Sequence, residues 1–312
     1  MSPPLVSVVV PTFNRLRYLR EALDSVFAQT LDDWELVVAD DGSDDDTRAT
    51  LRAMTDPRVQ VIWLHHTGNP AAVRNAGIRA ARGRYVAFLD SDDVWTSDKL
   101  ERQLSALRRS DRRWSYTGCS RTDQDGRPLT VQPHVPTQAG WIVRSLLTFE
   151  TLIAMATVVV ERTLLEELGG FDEGQRFCEE VDLYIRLALR AEVDLVPDPL
   201  CALRAHDEHY SDDQIGTHES WLRLLAKVPA LVPDPDLRLL CLRTRARKAV
   251  TLMRLYLDSG DVRSAVSTLA RVLPSVGSSP SWWLHIAKRL TRHLGPKPAL
   301  AAWRRRRGSH GH

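Results

Sequence analysis

The chain has 312 residues, 43% of them hydrophobic, and a formal net charge of +2, an ordinary soluble composition with room for one large domain or for a domain of roughly 200–250 residues plus an appendage. No apolar run approaches the roughly 18 residues that span a bilayer, and the N-terminus lacks the basic-then-apolar pattern of a signal peptide. Cys119, Cys178, Cys201 and Cys241 form no C-x-x-C pair, so neither a zinc site nor a disulfide framework is indicated and a reducing cytosol is the simplest compartment. The last acidic residue is Asp261 and ten Lys/Arg follow it, so residues 1–261 carry 32 basic against 40 acidic side chains. The basic end could serve nucleic acid or an anionic membrane surface; the aromatic signatures of RNA binding are absent, and no nucleic-acid partner is expected.

Residues 5–10, Leu-Val-Ser-Val-Val-Val, are β-branched and apolar at nearly every position, as in a strand buried on both faces of a parallel sheet, and Pro11 is expected to end it. Over residues 15–29, Leu16, Leu19, Leu23, Val26 and Phe27 recur at helical spacing. A second strand, 34–39, runs into Asp40-Asp41-Gly42-Ser43, where Ser43 followed by Asp46 reads as a capping box opening a helix over 47–54. Residues 59–64 read as the third strand, and Asn69-Pro70 sets an N-cap before a helix over 71–82. The fourth strand, from Tyr85, ends in Asp90-Ser91-Asp92-Asp93.

Strand-helix alternation predicts right-handed βαβ units and a mostly parallel, Rossmann-like sheet. In such a sheet the strand C-termini share one edge, where ligands bind. Residues 11–14, 40–43, 65–68 and 90–93 all fall there. Asp90, Asp92 and Asp93 repel one another and call for a cation; Mg²⁺ or Mn²⁺ suits carboxylate oxygen. The alternative is a solvated acidic turn before a helix capped by Ser97, with Asp98 in its first turn.

The middle, 113–160, is less readable: residues 123–126 form a hairpin turn and 157–160 a strand. Glu179, Glu180 and Asp182 open a helix whose Leu183, Tyr184, Leu187 and Ala188 face inward. Beyond Ser211, residues 222–228, 236–257, 262–273 and 281–294 read as helices. In the last, Trp283, Ile286, Leu290 and Leu294 lie opposite His285, Lys288, Arg289 and Arg292, and Arg304–Arg307 follow. This is either an anchor for an anionic membrane surface or a helix packed on its own domain.

Four segments, residues 6–15, 37–43, 74–78 and 83–93, resemble in sequence, order and spacing the nucleotide-binding half of family 2 glycosyltransferases of GT-A fold; a looser likeness runs to about Ser211. The resemblance implies an α/β GT-A domain over residues 1–215, with a helical appendage over 216–312. It implies an inverting, nucleotide-sugar-dependent hexosyltransferase, UDP-sugar first, with a saccharide or lipid-linked acceptor in cell-surface polysaccharide or glycolipid synthesis. Such an enzyme would be cytoplasmic or peripheral on the inner face of the plasma membrane. Pro11, Thr12 and Asn14 would border the nucleotide, Asp41 would accept from a uracil-type N–H or cap a helix, and Arg74 would neutralise diphosphate or hold a carboxylate. Asp92, Asp93 and Asp90 would hold the divalent metal, with His206 nearby. The general base falls on Glu180, where the family usually has Asp, with Glu179 and Asp182 as substitutes. Trp141 and Met155 lie where the family lines its acceptor cleft, or are plain core. Two rivals stand: a sugar nucleotidyltransferase, which usually shows a glycine-rich loop absent from residues 11–15, and a non-catalytic nucleotide-sugar-binding protein.

Overall fold

A computed structural model of the chain describes residues 3–129, 131–205 and 213–276. The first half alternates as the pattern requires: β1 (Val6–Thr12), α1 (Leu16–Phe27), β2 (Trp34–Asp40), α2 (Thr47–Arg52), β3 (Val59–Trp63), α3 (Pro70–Ala80) and β4 (Tyr85–Phe88). There follow β5 (Val94–Trp95), α4 (Lys99–Ser110), β6 (Trp114–Thr122), α5 (Val143–Thr148), a 3-10 turn (Met155–Thr157), β7 (Val159–Glu161) and α6 (Arg162–Leu168). The last described elements are α7 (Glu179–Arg190), β8 (Val193–Arg204), α8 (Gln214–Leu231), α9 (Pro235–Ser259) and α10 (Val262–Val276).

The sheet order is β3-β2-β1-β4-β7-β6-β8-β5. β1 to β4 run parallel, β7 is antiparallel to both β4 and β6, and β8 runs parallel to β6. The C-terminal ends of β6 and β8 therefore share the edge at which β1 to β4 finish. Alternation along β1 feeds two cores: Val6, Val8 and Val10 pack with Leu19, Leu23 and Leu104, while Val9 packs with Phe88, Leu183 and Trp221. Helices thus cover both faces, which is why β1 reads as an unbroken apolar run. Gly77 lets α3 lie directly on β1, because a Cβ there would come 2.4 Å from Val9 Cγ1.

Three local expectations are corrected. Pro11 does not end β1, which pairs with β2 as far as Thr12; strand pairing does not need the N–H that proline lacks at every position. Ser43 is no capping box: its hydroxyl accepts from Asn14 N (2.9 Å), and α2 starts after Asp46, which makes no side-chain cap. The strand expected over 157–160 begins only at Val159, because Met155–Thr157 winds as a 3-10 turn. Asn69 does cap α3, accepting from Ala71 N at 3.1 Å with Pro70 at the first helical position.

The chain divides into two compact units, residues 1–241 and 242–312. The division lies downstream of the boundary expected near 215, because α8 places Trp221, Leu224, Leu225 and Val228 in the same core as α7. In the second unit Val250, Met253 and Ala265 form a small core between α9 and α10. The basic stretch 281–312 and His206 lie outside the described residues.

Candidate active site

Two adjoining cavities open at the carboxyl edge of the sheet. One, of about 490 Å³, lies among the β1–α1 turn, the loop after β3 and the start of α3, lined by Pro11, Thr12, Phe13, Asp41, His66 and Asn69. The other, of about 530 Å³, lies among the acidic turn, the 3-10 turn, α7 and α8, lined by Met155, Phe177, Glu179, Glu180, Thr217 and Trp221. Arg15, Arg74, Asp90 and Asp92 line both, so they form the wall where the two meet.

In the first cavity, the buried Thr12 hydroxyl has no hydrogen-bond partner among the described residues, and the rings of Phe13 and His66 stack at 4.0 Å. Asp41 organises the loop beside them. Its carboxylate accepts from Thr67 N, Thr67 Oγ1 and Gly68 N, each at 2.9 Å, and its Oδ2 lies 3.1 Å from His66 Nδ1. Asn14 does not line the cavity. With a left-handed backbone (φ 50°), it ties the β1–α1 turn to the β2–α2 turn by donating to Asp44 Oδ1 (2.6 Å) and accepting from Asp44 N (2.9 Å).

At the shared wall, cations hold two of the three acids. Arg15 pairs with Asp92, and buried Arg74 forks between Asp90 Oδ1 (2.7 Å) and Glu179 Oε1 (2.9 Å). Arg74 thus holds carboxylates from two elements in one position, and they raise the affinity of its guanidinium for its proton despite its burial. Asp93 accepts from Arg204 N at 3.0 Å. Burial first, then the charges of Asp90 and Asp92, push its carboxyl well above the ordinary range. The Arg204 side chain bonds Asp92 O (2.9 Å) and Gln124 O (3.0 Å) and reaches Glu21, so β8 braces the acidic turn from behind.

The three acids at the start of α7 part company. Asp182 is 1% exposed, pairs with Arg186 and Lys227 at 2.7 Å each, and lines neither cavity. Glu179 is buried against Arg74. Half-buried Glu180 faces the second cavity, and its carboxyl is pushed up to about 8, first by desolvation and then by the charge of Glu179, with Arg74 offsetting only part. A carboxylate poised near neutrality is suited to accept a proton. Met155 also lines this cavity, whereas Trp141 lies in a separate groove with Ala188, Leu189 and Leu237. Arg15 and Arg204 lie within the stretch that resembles the family without being singled out there, and Thr217 and Trp221 precede the helix expected over 222–228 and carry no signal of their own.

Among the described residues no three His, Cys, Asp or Glu side chains converge as a closed metal site. The donors fit an open one. Burial and the neighbouring charges of Asp90 and Asp92 raise the carboxyl of Asp93 above the ordinary range, a crowding of carboxylates that a divalent cation would relieve. Mg²⁺ or Mn²⁺ usually takes one or two carboxylates and completes its shell with phosphate and water. Asp92 and Asp90, on the wall of both cavities, are the residues that would hold it.

The sheet makes this an α/β protein whose acids, arginines and two-part cleft lie at the carboxyl edge, where open α/β sheets bind their ligands. Residues 7–155 match the model of glycosyl transferase family 2. TuaG of Bacillus subtilis, assigned by name to teichuronic acid biosynthesis, is 39% identical over 166 residues, covering 51% of this chain and 63% of that protein. WfgD of Escherichia coli, a UDP-Glc:α-D-GlcNAc-diphosphoundecaprenol β-1,3-glucosyltransferase, is 33% identical over 189 residues, covering 61% of this chain and 71% of its own length. Two further relatives, from Rickettsia felis and Rickettsia conorii, are matched over only 33% and 32% of their length. By structure, the chain is similar to Staphylococcus aureus TarS 1–349 in complex with UDP-GlcNAc (TM-score 0.62, 17% identity, 86% of this chain and 90% of that one). It is also similar to mannosyltransferase PcManGT of Pyrobaculum calidifontis in complex with GDP-Man and Mn²⁺ (TM-score 0.59, 22% identity, 96% and 82%). The fold is that of the GT-A glycosyltransferases. The chain belongs to glycosyltransferase family 2.

Proposed function

We propose that the protein transfers a hexosyl unit from a nucleoside diphosphate sugar, UDP-sugar first, to a hydroxyl of a saccharide or lipid-linked acceptor, inverting the anomeric centre. The observation that carries this reading is the division of the cleft: two cavities meet at Arg15, Arg74, Asp90 and Asp92, and only one of them contains Glu180. The nucleotide occupies the cavity of Thr12, Phe13 and Asp41, its diphosphate lies at the shared wall, and the acceptor enters beside Glu180. Glu180 takes the proton from the acceptor hydroxyl as it attacks the anomeric carbon opposite the departing diphosphate. Arg74 keeps Asp90 and Glu179 in place across the junction, and Arg15 adds positive charge where the diphosphate leaves. A divalent metal, when bound at Asp92 and Asp90, supplies charge stabilisation to the leaving group. One displacement through oxocarbenium-like charge needs one base and no covalent intermediate.

A role in cell-surface polysaccharide or glycolipid synthesis is supported by the names of TuaG and WfgD, and a uridine donor by the UDP-Glc of WfgD and the UDP-GlcNAc of the TarS complex. Among the described residues no helix is long and apolar enough to cross a membrane. Peripheral attachment to the inner face of the plasma membrane is supported by the acid-free charge of residues 262–312.

Release of nucleoside diphosphate from a panel of UDP-, GDP- and dTDP-sugars with Mg²⁺ or Mn²⁺ and glycoside acceptors tests the reaction. Pyrophosphate release instead would mark a nucleotidyltransferase, and binding without turnover a non-catalytic protein. Asp92→Asn is expected to leave the fold intact and weaken Mn²⁺-dependent nucleotide affinity by about tenfold or more, the loss of a charge-assisted contact. Unchanged titration calorimetry would remove Asp92 from the metal site.

A further inference from the structure

We propose that α8, which lies beyond the segment matched by the family model, forms one wall of the acceptor subsite. On it, Trp221 and Thr217 bind a pyranose ring of the acceptor. The inference rests on the reading above, in which the cavity holding Glu180 receives the acceptor.

Of the two cavities, α8 reaches only that one, and it does so through Thr217 and Trp221. The two are four residues apart, hence on one face of the helix. Trp221 is 7% exposed, and Phe149 braces it from behind at 4.7 Å with the rings inclined by 67°. Together with Phe177 and Met155 it gives the cavity an apolar part of its lining beside the carboxylates.

Thr217 is the polar group set into that wall. A helical threonine hydroxyl ordinarily bonds the carbonyl four residues back. Here Asp213 O takes the Thr217 backbone N–H at 2.9 Å, and the buried Thr217 Oγ1 has no hydrogen-bond partner among the described residues. A pyranose presents a face of C–H bonds and a rim of hydroxyls. An aromatic plane suits the first, and a hydroxyl able to donate and accept suits the second.

The wall is also fixed relative to the base. Gln175 Nε2 donates to Ser220 O at 2.7 Å, and Lys227 on α8 pairs with Asp182 on α7, the helix that carries Glu180, at 2.7 Å. A sugar held on α8 is therefore held at a set position from Glu180, as orientation of an attacking hydroxyl requires.

Saturation-transfer NMR on the full chain with UDP and Mn²⁺ present tests this, using methyl glycosides of glucose, galactose, mannose and N-acetylglucosamine as probes. UDP affinity by calorimetry and thermal unfolding are measured in parallel. The wild-type chain is expected to bind at least one glycoside. Trp221→Leu should weaken that binding by about tenfold or more, and the near-isosteric Thr217→Val by about three- to tenfold, with UDP affinity and melting temperature kept in Thr217→Val. Equal glycoside affinity in wild type and both variants, or no glycoside binding by the wild type, would overturn the proposal. So would a parallel loss of UDP affinity in Thr217→Val, which would make α8 a structural support. Failure of the wild-type chain to bind UDP would instead overturn the donor reading on which the proposal rests.

Discussion

Glu179 and Glu180 are neighbours on one helical turn, yet their surroundings give them opposite work. Glu179 is buried against Arg74 at 2.9 Å, while Glu180 faces the cavity with its carboxyl raised to about 8 by desolvation and by Glu179. Glu180→Gln keeps the shape and removes the base, so donor binding should persist while transfer falls by roughly 10² to 10⁴. Because the active form is ionised, kcat/KM of the wild type should rise with pH and level off above about 8. Glu179→Gln removes the neighbouring charge that raises Glu180, so the rising limb should move to lower pH. A limb that stays put in Glu179→Gln would mean that another group sets it. Stability follows the same carboxyl with the opposite slope. A glutamate whose folded pKa is raised binds more protons folded than unfolded, so its ionisation costs stability as pH rises from the ordinary glutamate range through about 8. In the metal-free protein, Glu180→Gln should therefore melt a few degrees higher than wild type near pH 9 and no higher near pH 4, as differential scanning fluorimetry would show.

At the scale of elements, what the sequence discloses depends on whether a local rule is obeyed. β1, β2 and α3 are legible because β-branched runs buried on both faces and an Asn-Pro helix start are each sufficient alone. β8 is not. Its Val193–Arg204 stretch includes Pro197 and Pro199, and its pairing with β6 slips on either side of Gly118, where a Cβ would meet Pro197 O at 2.5 Å. Prolines at an irregularity read as loop. Likewise the spacing of Glu179, Glu180 and Asp182 announces an acidic helix start, but which acid faces the cleft is decided by Arg74 and Lys227, contributed by α3 and α8. Gly77 sits between these cases: it is unremarkable in a helix until its approach to Val9 is seen. Gly77→Ala, favourable for an isolated helix, should destabilise the fold by about 1–3 kcal/mol through overpacking at the α3–β1 contact. Because α3 carries Arg74, nucleotide affinity should weaken with it. Denaturant unfolding checks the first effect, and an unchanged midpoint would show that α3 shifts at no cost.

For the whole molecule, the distribution of charge and of core points to a division of labour along the chain. Every residue lining the two cavities belongs to the unit that ends at Cys241, and that unit contains both layers of the main core. The second unit has its own small core, and beyond Asp261 the chain is free of acidic residues but carries ten Lys/Arg. Each basic residue near an anionic bilayer contributes at most about 1 kcal/mol, and the attraction is screened within a Debye length. A protein truncated after Cys241 should thus unfold cooperatively and bind UDP with Mn²⁺ as the full chain does. It should sediment less with phosphatidylserine-containing liposomes at low salt, and the full chain should be released as salt is raised. Equal sedimentation of the two proteins would assign the basic end to something other than a membrane surface. Loss of cooperative unfolding on truncation would show that the second unit is needed to complete the first.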